Sequence, residues 1–352
     1  MAEQAASESE MTPEQWERFD TRRPRLSTSA LSSALALHFG LDGDLASLAE
    51  EREQVFSLTV EDGTTLIVRA SALDALSRSA HVQAEALDAV AAADPLLPVP
   101  RMRRSRRGLA IETTREGLAE YQIRVLSFLP GRARAAPWSE ATLHQVGSIV
   151  ARLDGALATC RPCETAFPLL WNLFDAHQIR PFARFVKDPR LRGLVERVID
   201  EFGENALPRL RELPAQLIHN DLSPKNLLFD GSDAIRVSGI IDFGDVVRSP
   251  RVVDLGIAIA RFAVPQAPLS SVTPLVRGFN EVSPLDSLEV SLLPSIVCTR
   301  LAMRIAIWSW RLRQPEREIG SPLREASDLL SAFVQLGSNA IHQAANEQGE
   351  SR

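Results

Sequence analysis

The middle of the chain, residues 217–245, reads LIHNDLSPKNLLFDGSDAIRVSGIIDFGD and predicts both a local fold and a cluster of polar side chains. Within it, Leu227–Phe229 and Ile235–Ile241 are apolar, β-rich runs separated by Asp-Gly-Ser-Asp, a composition that favours a turn. We therefore expect a β-hairpin, with Asn226 just before one arm and Asp242 just after the other. Facing positions on paired strands stand about 5 Å apart, so these two side chains should meet at the open end of the hairpin.

The polar residues at this open end fit the direct transfer of a phosphoryl group. Mg²⁺ prefers hard oxygen ligands and usually takes only one or two of them from protein, so Asn226 and Asp242 are candidate metal ligands. Asp221 lies in the loop just upstream, where an isolated carboxylate could accept the proton of an attacking hydroxyl. One base, two metal ligands and no serine or cysteine nucleophile are typical of a reaction that depends on positioning and charge neutralisation.

Length and composition exclude several other classes of protein. The 352 residues predict one large or two closely packed domains, and the net charge, 39 − 45 = −6, gives no basic excess for binding nucleic acid. The most apolar run, Leu292–Trp310, is interrupted by Arg300 and Arg304, so we expect no membrane span and no membrane partner. The acidic, polar residues 1–10 and the three cysteines favour a reducing, cytoplasmic location.

The rest of the chain predicts two lobes of different character. Residues 1–20 lack periodic apolar positions and are expected to form a disordered arm, and residues 345–352 a flexible tail. Residues 21–128 predict a small α+β unit, and residues 129–344 show the apolar spacing of amphipathic helices, interrupted by the β-rich segment described above. The elements expected in the first unit are helices at 27–39 and 79–93 and strands at 56–60, 64–70, 109–113 and 121–126.

Two segments of the central stretch resemble motifs of a known family. His219–Asn226 resembles the catalytic loop of the aminoglycoside phosphotransferase family, and Ile241–Asp245 resembles its metal-binding segment. The family is similar in fold to protein kinases, with a β-rich N-lobe, a helical C-lobe and the nucleotide between them. The resemblance implies that Asp221 is the catalytic base, that Asn226 and Asp242 bind Mg²⁺, and that ATP or GTP donates its γ-phosphate to a hydroxyl of a small molecule.

Four further segments resemble the hydroxylysine kinase branch of this family and its bacterial relatives. This resemblance implies a hydroxy-amino acid or an amino alcohol as the acceptor, with aminoglycosides and homoserine as alternatives. A non-catalytic, pseudokinase-like nucleotide-binding regulator is the alternative of another class, and the oligomeric state stays open. The four segments are Glu51–Phe56, Leu126–Gly131, Trp171–Leu173 and Asp242–Leu255.

The expected nucleotide site departs from the family pattern in its third strand, where a lysine normally grips the α- and β-phosphates. This chain has Arg69 there, whose planar guanidinium is not equivalent to an ammonium. Three interpretations of Arg69 are open. It binds the phosphates in place of the lysine, it is a surface residue while another group takes over the role of the lysine, or the nucleotide site is weakened or lost. We expect Glu85 of the following helix to be its partner because an ion pair needs a carboxylate, with Gln83 as the alternative. Phe128 is expected beside the nucleotide, at the hinge between the lobes.

Three further residues each have two interpretations. His219 supports the catalytic loop, or is a core histidine without chemistry. Arg300 and Arg304 are spaced four apart on a helix, so they could bind a substrate carboxylate together. A structural ion pair with an acidic neighbour explains the two arginines equally well.

Overall fold

The structure is a computed structural model that describes residues 13, 16, 26–50, 53–73, 77–160, 169–231, 236–313 and 322–346. Across these residues an antiparallel sheet comes first, and a mainly helical part with two short β-ladders follows. The α+β class predicted from the sequence is therefore what the structure shows.

The antiparallel sheet provides the layer on which the predicted nucleotide site is built. Across the described residues β1 pairs with β2, β2 with β3, and β3 with β6, while β4 and β5 both pair with the other edge of β6. Side chains of β2 and β3 alternate between buried and more exposed positions, as expected for strands with one face on a core. The strands are β1 (Gly43–Glu50), β2 (Gln54–Val60), β3 (Thr65–Ala72), β4 (Met102–Arg103), β5 (Glu112–Glu116) and β6 (Ala119–Ser127).

The predicted hairpin of β2 and β3 is confirmed, and its Asp62-Gly63 turn places Gly63 at φ 83°. By contrast, β1 is absent from the sequence prediction. Its residues 43–48 are mostly exposed because it lies at the edge of the sheet, so they lack the alternation that marks a half-buried strand. The predicted strand at 109–113 begins later, at Glu112.

Two helices flank the sheet, and both were predicted. The first, α1 (Thr28–Phe39), packs its apolar side chains with residues of the sheet to form a separate small core. The second, α2 (Ser77–Ala93), instead shares its buried residues with the helical part. The members of the small core include Leu31, Leu35, Phe39, Phe56, Leu58, Val68 and Ile123.

The helical part surrounds the two short ladders that carry the polar loop. In one ladder β7 (Gln216–Ile218) pairs with β10 (Val247–Ser249), and in the other β8 (Leu227–Asp230) pairs with β9 (Arg236–Ile240). The helices are α3 (Glu140–Leu157), α4 (Ala176–Ile179), α5 (Pro189–Glu201), α6 (Leu207–Leu210), α7 (Arg251–Phe262), α8 (Val272–Val282), α9 (Ser287–Arg311), α10 (Pro322–Leu336) and α11 (Ser338–Asn346).

Helices α3 and α8 cross with their backbones in contact, and glycines make this possible. A Cβ added to Gly147 would lie 2.0 Å from the carbonyl oxygen of Leu275, and one added to Gly278 would lie 1.9 Å from that of His144. Any larger residue at either position would push the helices apart.

Helix α9 runs through the helical core. It has the length and apolar character of a membrane span, but 83% of its most apolar window is buried inside the protein. Burial by neighbouring helices explains its composition, since a core helix is apolar on nearly all sides.

The predicted terminal segments lie largely outside the described residues. In the predicted arm, residues 1–20, the structure describes Pro13 and Trp16. Trp16 is buried and belongs to the main core, and for the rest of residues 1–20 the disordered arm stays a prediction. Of the predicted tail, α11 includes Ala345, which is buried.

Candidate active site

The predicted hairpin of the central segment is confirmed and brings Asn226 and Asp242 to one end. Strands β8 and β9 pair with Leu227 opposite Ile240, and the N–H of Ile241 donates to the carbonyl oxygen of Asn226 at 2.9 Å. Asp242 follows directly and adopts a left-handed backbone, φ 65°, a conformation that is costly for a residue other than glycine and common at functional sites. Both predicted metal ligands therefore lie at the open end of the hairpin.

Asp221 is held against the same end by the side chain of Asn226. The Asn226 Nδ2 donates to the carbonyl oxygen and to Oδ2 of Asp221, both at 2.8 Å. Because the nitrogen of this amide is committed to Asp221, its oxygen is left for a cation. The side chain of Asp242 is 54% exposed.

These donors suit a hard cation that brings ligands of its own. One amide oxygen and one carboxylate match the small protein share of a Mg²⁺ coordination sphere, with phosphate and water completing it. Among the described residues no group of three or more His, Cys, Asp or Glu side chains is arranged to hold a metal. The described part of the chain therefore shows no site for Zn²⁺ or for another ion that prefers thiolate or imidazole ligands.

His219 links the loop to the strand end that carries Asp242. Its Nδ1 accepts from the N–H of Asp221 at 3.3 Å, and its Nε2 donates to the carbonyl oxygen of Ile241 at 3.1 Å. Its ring is buried against Phe243 with the centroids 4.8 Å apart. Of the two interpretations of His219, the contacts favour support of the loop.

Asp254 of α7 fixes the backbone just before Asp221. Its two carboxylate oxygens accept the N–H groups of His219, at 2.8 Å, and Asn220, at 2.7 Å. Asn220 takes a left-handed backbone, φ 66°, which directs consecutive N–H groups toward one carboxylate. Asp254 is thus the brace of the loop rather than a group that meets substrate.

A second buried carboxyl, Asp154 of α3, lies against Asp254. Burial raises the pKa of Asp154 well above its ordinary value of 3.8, and the neighbouring Asp254 raises it further. Burial also raises the pKa of Asp254, although its hydrogen bonds with the loop oppose the rise. Burial beside a second carboxyl therefore favours the protonated form of Asp154, as expected when two carboxyls share a dry site.

Asp154→Asn should make the free energy of unfolding less dependent on pH. A carboxyl whose pKa is higher in the folded chain stabilises it below pH 3.8, and this contribution is lost as pH rises toward the folded pKa. The loss is about 1.4 kcal/mol for each unit of pKa difference. Asparagine keeps a donor for Asp254 without a proton to lose, so denaturant unfolding from pH 4 to 8 should show a flatter profile. Parallel profiles for the two proteins would contradict a raised pKa of Asp154 in the folded chain.

The residues around Arg69 correct one sequence prediction. The Nε of Arg69 donates to Oε2 of Glu53 at 2.6 Å, whereas Glu85 is exposed on the outer side of α2. The predicted Arg69–Glu85 ion pair is therefore wrong. The alternative partner, Gln83, instead accepts from Arg124 at 2.9 Å. The helix phase places position 83 inward and position 85 outward, as the apolar spacing indicated.

Glu53 joins two arginines of the sheet. Its second oxygen accepts from Arg124, which lies directly opposite Arg69 in the β3–β6 register. Burial would raise the pKa of Glu53, but Arg124 and Arg69 outweigh it and lower that pKa to about 2. Nη2 of Arg69 also lies 3.8 Å from Oδ1 of Asp242, so Arg69 bridges the sheet and the predicted metal site. This contact favours a role for Arg69 at the phosphates.

Phe128 directly follows β6, and the residue is 48% exposed. It lies where the sheet gives way to the helical part, in the segment predicted as the hinge. A base contact for Phe128 stays a prediction.

Two arginines of the helical part approach Asp221. Nη2 of Arg300 lies 3.7 Å and Nε of Arg261 lies 3.9 Å from its Oδ1. Arg300 also donates to the carbonyl oxygens of Trp171, at 2.6 Å, and Asn220, at 2.9 Å. Arg304 pairs with Glu325 at 3.3 Å. Each of the two predicted arginines thus has a structural contact.

Sequence reasoning missed four residues that surround the site. Glu53 stands inside a segment quoted above for its family resemblance, but no spacing rule connects it with Arg69. Arg124, Asp154 and Arg261 reach the site through pairing of distant strands and packing of distant helices. For Arg124, Asp154 and Arg261 the available signal was a charged residue within an otherwise apolar strand or helix.

Comparisons with known proteins show which family this chain resembles. The sequence model of the phosphotransferase enzyme family (APH) matches residues 44–279. Hydroxylysine kinase of Mus musculus is 30% identical over 216 residues, 57% of this chain and 57% of the relative. Homoserine kinase of Granulibacter bethesdensis is 28% identical over 222 residues, 59% of this chain and 62% of the relative. The chain thus spans less than two thirds of the length of these relatives.

Solved structures show the same fold at low identity. A microcompartment-associated aminopropanol kinase superimposes with a TM-score of 0.66 at 18% identity, covering 91% of this chain and 99% of the other. The amicoumacin kinase hAmiN in complex with AMP-PNP, Ca²⁺ and Ami superimposes with a TM-score of 0.64 at 15% identity, covering 92% and 94%. The predicted protein-kinase-like fold is confirmed. The family model matches about two thirds of the residues of this chain, so the chain belongs to the phosphotransferase enzyme family (APH).

Proposed function

We propose that this protein is a Mg²⁺-dependent phosphotransferase that moves the γ-phosphate of ATP or GTP to a hydroxyl of a small molecule. The acceptor class that we propose is a hydroxy-amino acid or an amino alcohol. Family membership and the relatives named hydroxylysine kinase and homoserine kinase support this proposal.

One observation carries the proposal: the Asn226 amide joins the proposed base to the proposed metal site. Its nitrogen orients Asp221, which leaves its oxygen and the Asp242 carboxylate for Mg²⁺. Bound Mg²⁺ would neutralise charge on the nucleotide phosphates. Asp221 would orient the acceptor hydroxyl and take its proton, while Arg69, held by Glu53, would contact the phosphates.

The catalytic proposal and the regulator alternative predict different results. Incubation with ATP or GTP and a panel of acceptors should release nucleoside diphosphate when Mg²⁺ is present, and EDTA should abolish the release. The panel contains 5-hydroxylysine, L-homoserine, 1-amino-2-propanol and kanamycin. Thermal unfolding with each nucleotide, with and without Mg²⁺, measures binding separately. A Mg²⁺-dependent thermal shift without release from any acceptor would favour the pseudokinase-like regulator.

A further inference from the structure

Three arginines of the helical part lie together beside Asp221. Arg261 lies in the last turn of α7, and Arg300 and Arg304 lie one turn apart on α9. Arg261 and Arg300 approach Oδ1 of Asp221 within 4 Å. Arg304 lies close enough to Arg261 and Asp221 for their charges to affect its pKa. Positive charge is therefore concentrated next to the proposed base.

The three guanidinium groups differ in how many of their hydrogen-bond donors find an acceptor within the protein. Arg300 is buried and donates to two backbone carbonyls, so its role is structural. The Nε atoms of Arg261 and Arg304 are buried without a hydrogen-bond partner among the described residues. Arg261, with its side chain 17% exposed, approaches Asp221 at 3.9 Å, and Arg304 pairs with Glu325 at 3.3 Å, so the described residues do not use all the donors of these two guanidinium groups and both keep donors for a ligand.

Electrostatics indicate the charge of that acceptor group. Burial lowers the pKa of Arg304 to about 10, and the nearby Arg261 contributes to the lowering. Burial likewise lowers the pKa of Arg300, with Arg261 acting in the same direction and Asp221 and Asp245 opposing it. An anion placed here would relieve the repulsion among the arginines, whereas an ammonium group would add to it.

We propose that Arg261 and Arg304 bind a carboxylate of the acceptor while its hydroxyl reaches Asp221. Guanidinium groups bind carboxylates through paired, charge-assisted hydrogen bonds, which fix both position and orientation. The acceptor is then a hydroxy acid, most simply a hydroxy-amino acid, and its ammonium group can meet the half-exposed Glu325. This inference rests on the proposed function and narrows it, because amino alcohols and aminoglycosides carry no carboxylate.

Acceptor pairs that differ only in the carboxylate test the inference. L-homoserine and 5-hydroxylysine are compared with their carboxamides at saturating Mg²⁺ and nucleotide. A lost charge-assisted contact is worth about 1.5–3 kcal/mol, so kcat/KM should favour the carboxylate forms by about 10- to 100-fold. Equal use of both forms, or a preference for 1-amino-2-propanol, would overturn the inference and leave the proposed function standing.

A binding measurement keeps the inference testable without turnover. Calorimetric titration of the same pairs, in the presence of Mg²⁺ and a non-hydrolysable nucleotide analogue, should detect the carboxylate forms as the tighter ligands. Equal affinities, or binding of neither form, would overturn the carboxylate site. Failure of the proposed function has a different signature, which is acceptor binding without nucleoside diphosphate release.

Substitutions then assign the effect to these arginines. Arg261→Gln, at a side chain 17% exposed, should raise KM for the carboxylate acceptor about 10-fold or more, and should raise it more than KM for the carboxamide. Arg304→Lys keeps a charge opposite Glu325 but loses the planar fork, and should act in the same direction. Arg197→Gln, at an exposed arginine of α5, is the matched control and should change neither KM. An unchanged carboxylate KM in Arg261→Gln would contradict the inference.

Discussion

Asp221→Asn is expected to lower turnover by about 10²–10⁴-fold while the chain stays folded and binds nucleotide. Asparagine cannot take the proton of the acceptor hydroxyl. Its amide oxygen can still accept from Nδ2 of Asn226, and the backbone bond from Asn226 to position 221 does not depend on the side chain. The loop should therefore keep its shape, and the loss should appear in kcat. Initial rates of nucleoside diphosphate release measure the effect.

A second aspartate on the same hairpin provides the control for this substitution. Asp230 lies at the turn end of β8 and pairs with Arg236 on the surface. Asp230→Asn should leave turnover near the wild-type value and change stability by no more than about 0.5 kcal/mol. Thermal unfolding and Mg²⁺–nucleotide binding should be unaltered in Asp221→Asn. Near-normal turnover of that variant would show that another group accepts the proton.

Glu53→Gln is expected to destabilise the folded chain by about 3–5 kcal/mol at neutral pH, because it leaves two facing arginines without their shared carboxylate. Arg69 and Arg124 lie directly opposite each other across β3 and β6, an arrangement that is unfavourable for like charges. Denaturant unfolding measures the loss. Nucleotide binding should also weaken, since Arg69 would no longer be held in place.

The pH dependence gives an independent test of the same carboxylate. The pKa of Glu53 is about 2 in the folded chain and has an ordinary value of 4.5, so its contribution is present above pH 4.5 and is lost as pH falls toward 2. The difference in unfolding free energy between wild type and Glu53→Gln should therefore shrink from pH 5 to pH 3. Glu85→Gln, at the exposed residue first expected to pair with Arg69, should change stability by less than about 0.5 kcal/mol. A larger loss in Glu85→Gln than in Glu53→Gln would contradict the assignment.

Local patterns predicted the central part of the site well. The hairpin that brings Asn226 and Asp242 together is encoded within seventeen consecutive positions, so turn chemistry and apolar runs were enough to find it. The family resemblance is confirmed by the match over residues 44–279, and the relatives include hydroxylysine kinases, as expected. The roles of Asp221, Asn226 and Asp242 stay predictions that the proposed experiments test.

The parts that could not be predicted depend on contacts between distant residues. Glu53 meets Arg69 because β2 pairs with β3, where Val55 lies opposite Arg69, so Glu53 falls on the same side of the sheet two residues away. Arg124 enters the same cluster through the β3–β6 register, which no local pattern specifies. Glu85, on the following helix, has the carboxylate that an ion pair with Arg69 needs, but it faces outward.

The position of Glu53 determines how a movement of α2 would affect Arg69. Its carboxylate and both of its arginines belong to, or directly adjoin, a single sheet, whereas α2 adds the neutral amide of Gln83. A swing of α2 away from the sheet would leave the Arg69–Glu53 contact intact. The position that Glu53 gives to Arg69 therefore depends on the strands and not on the placement of α2.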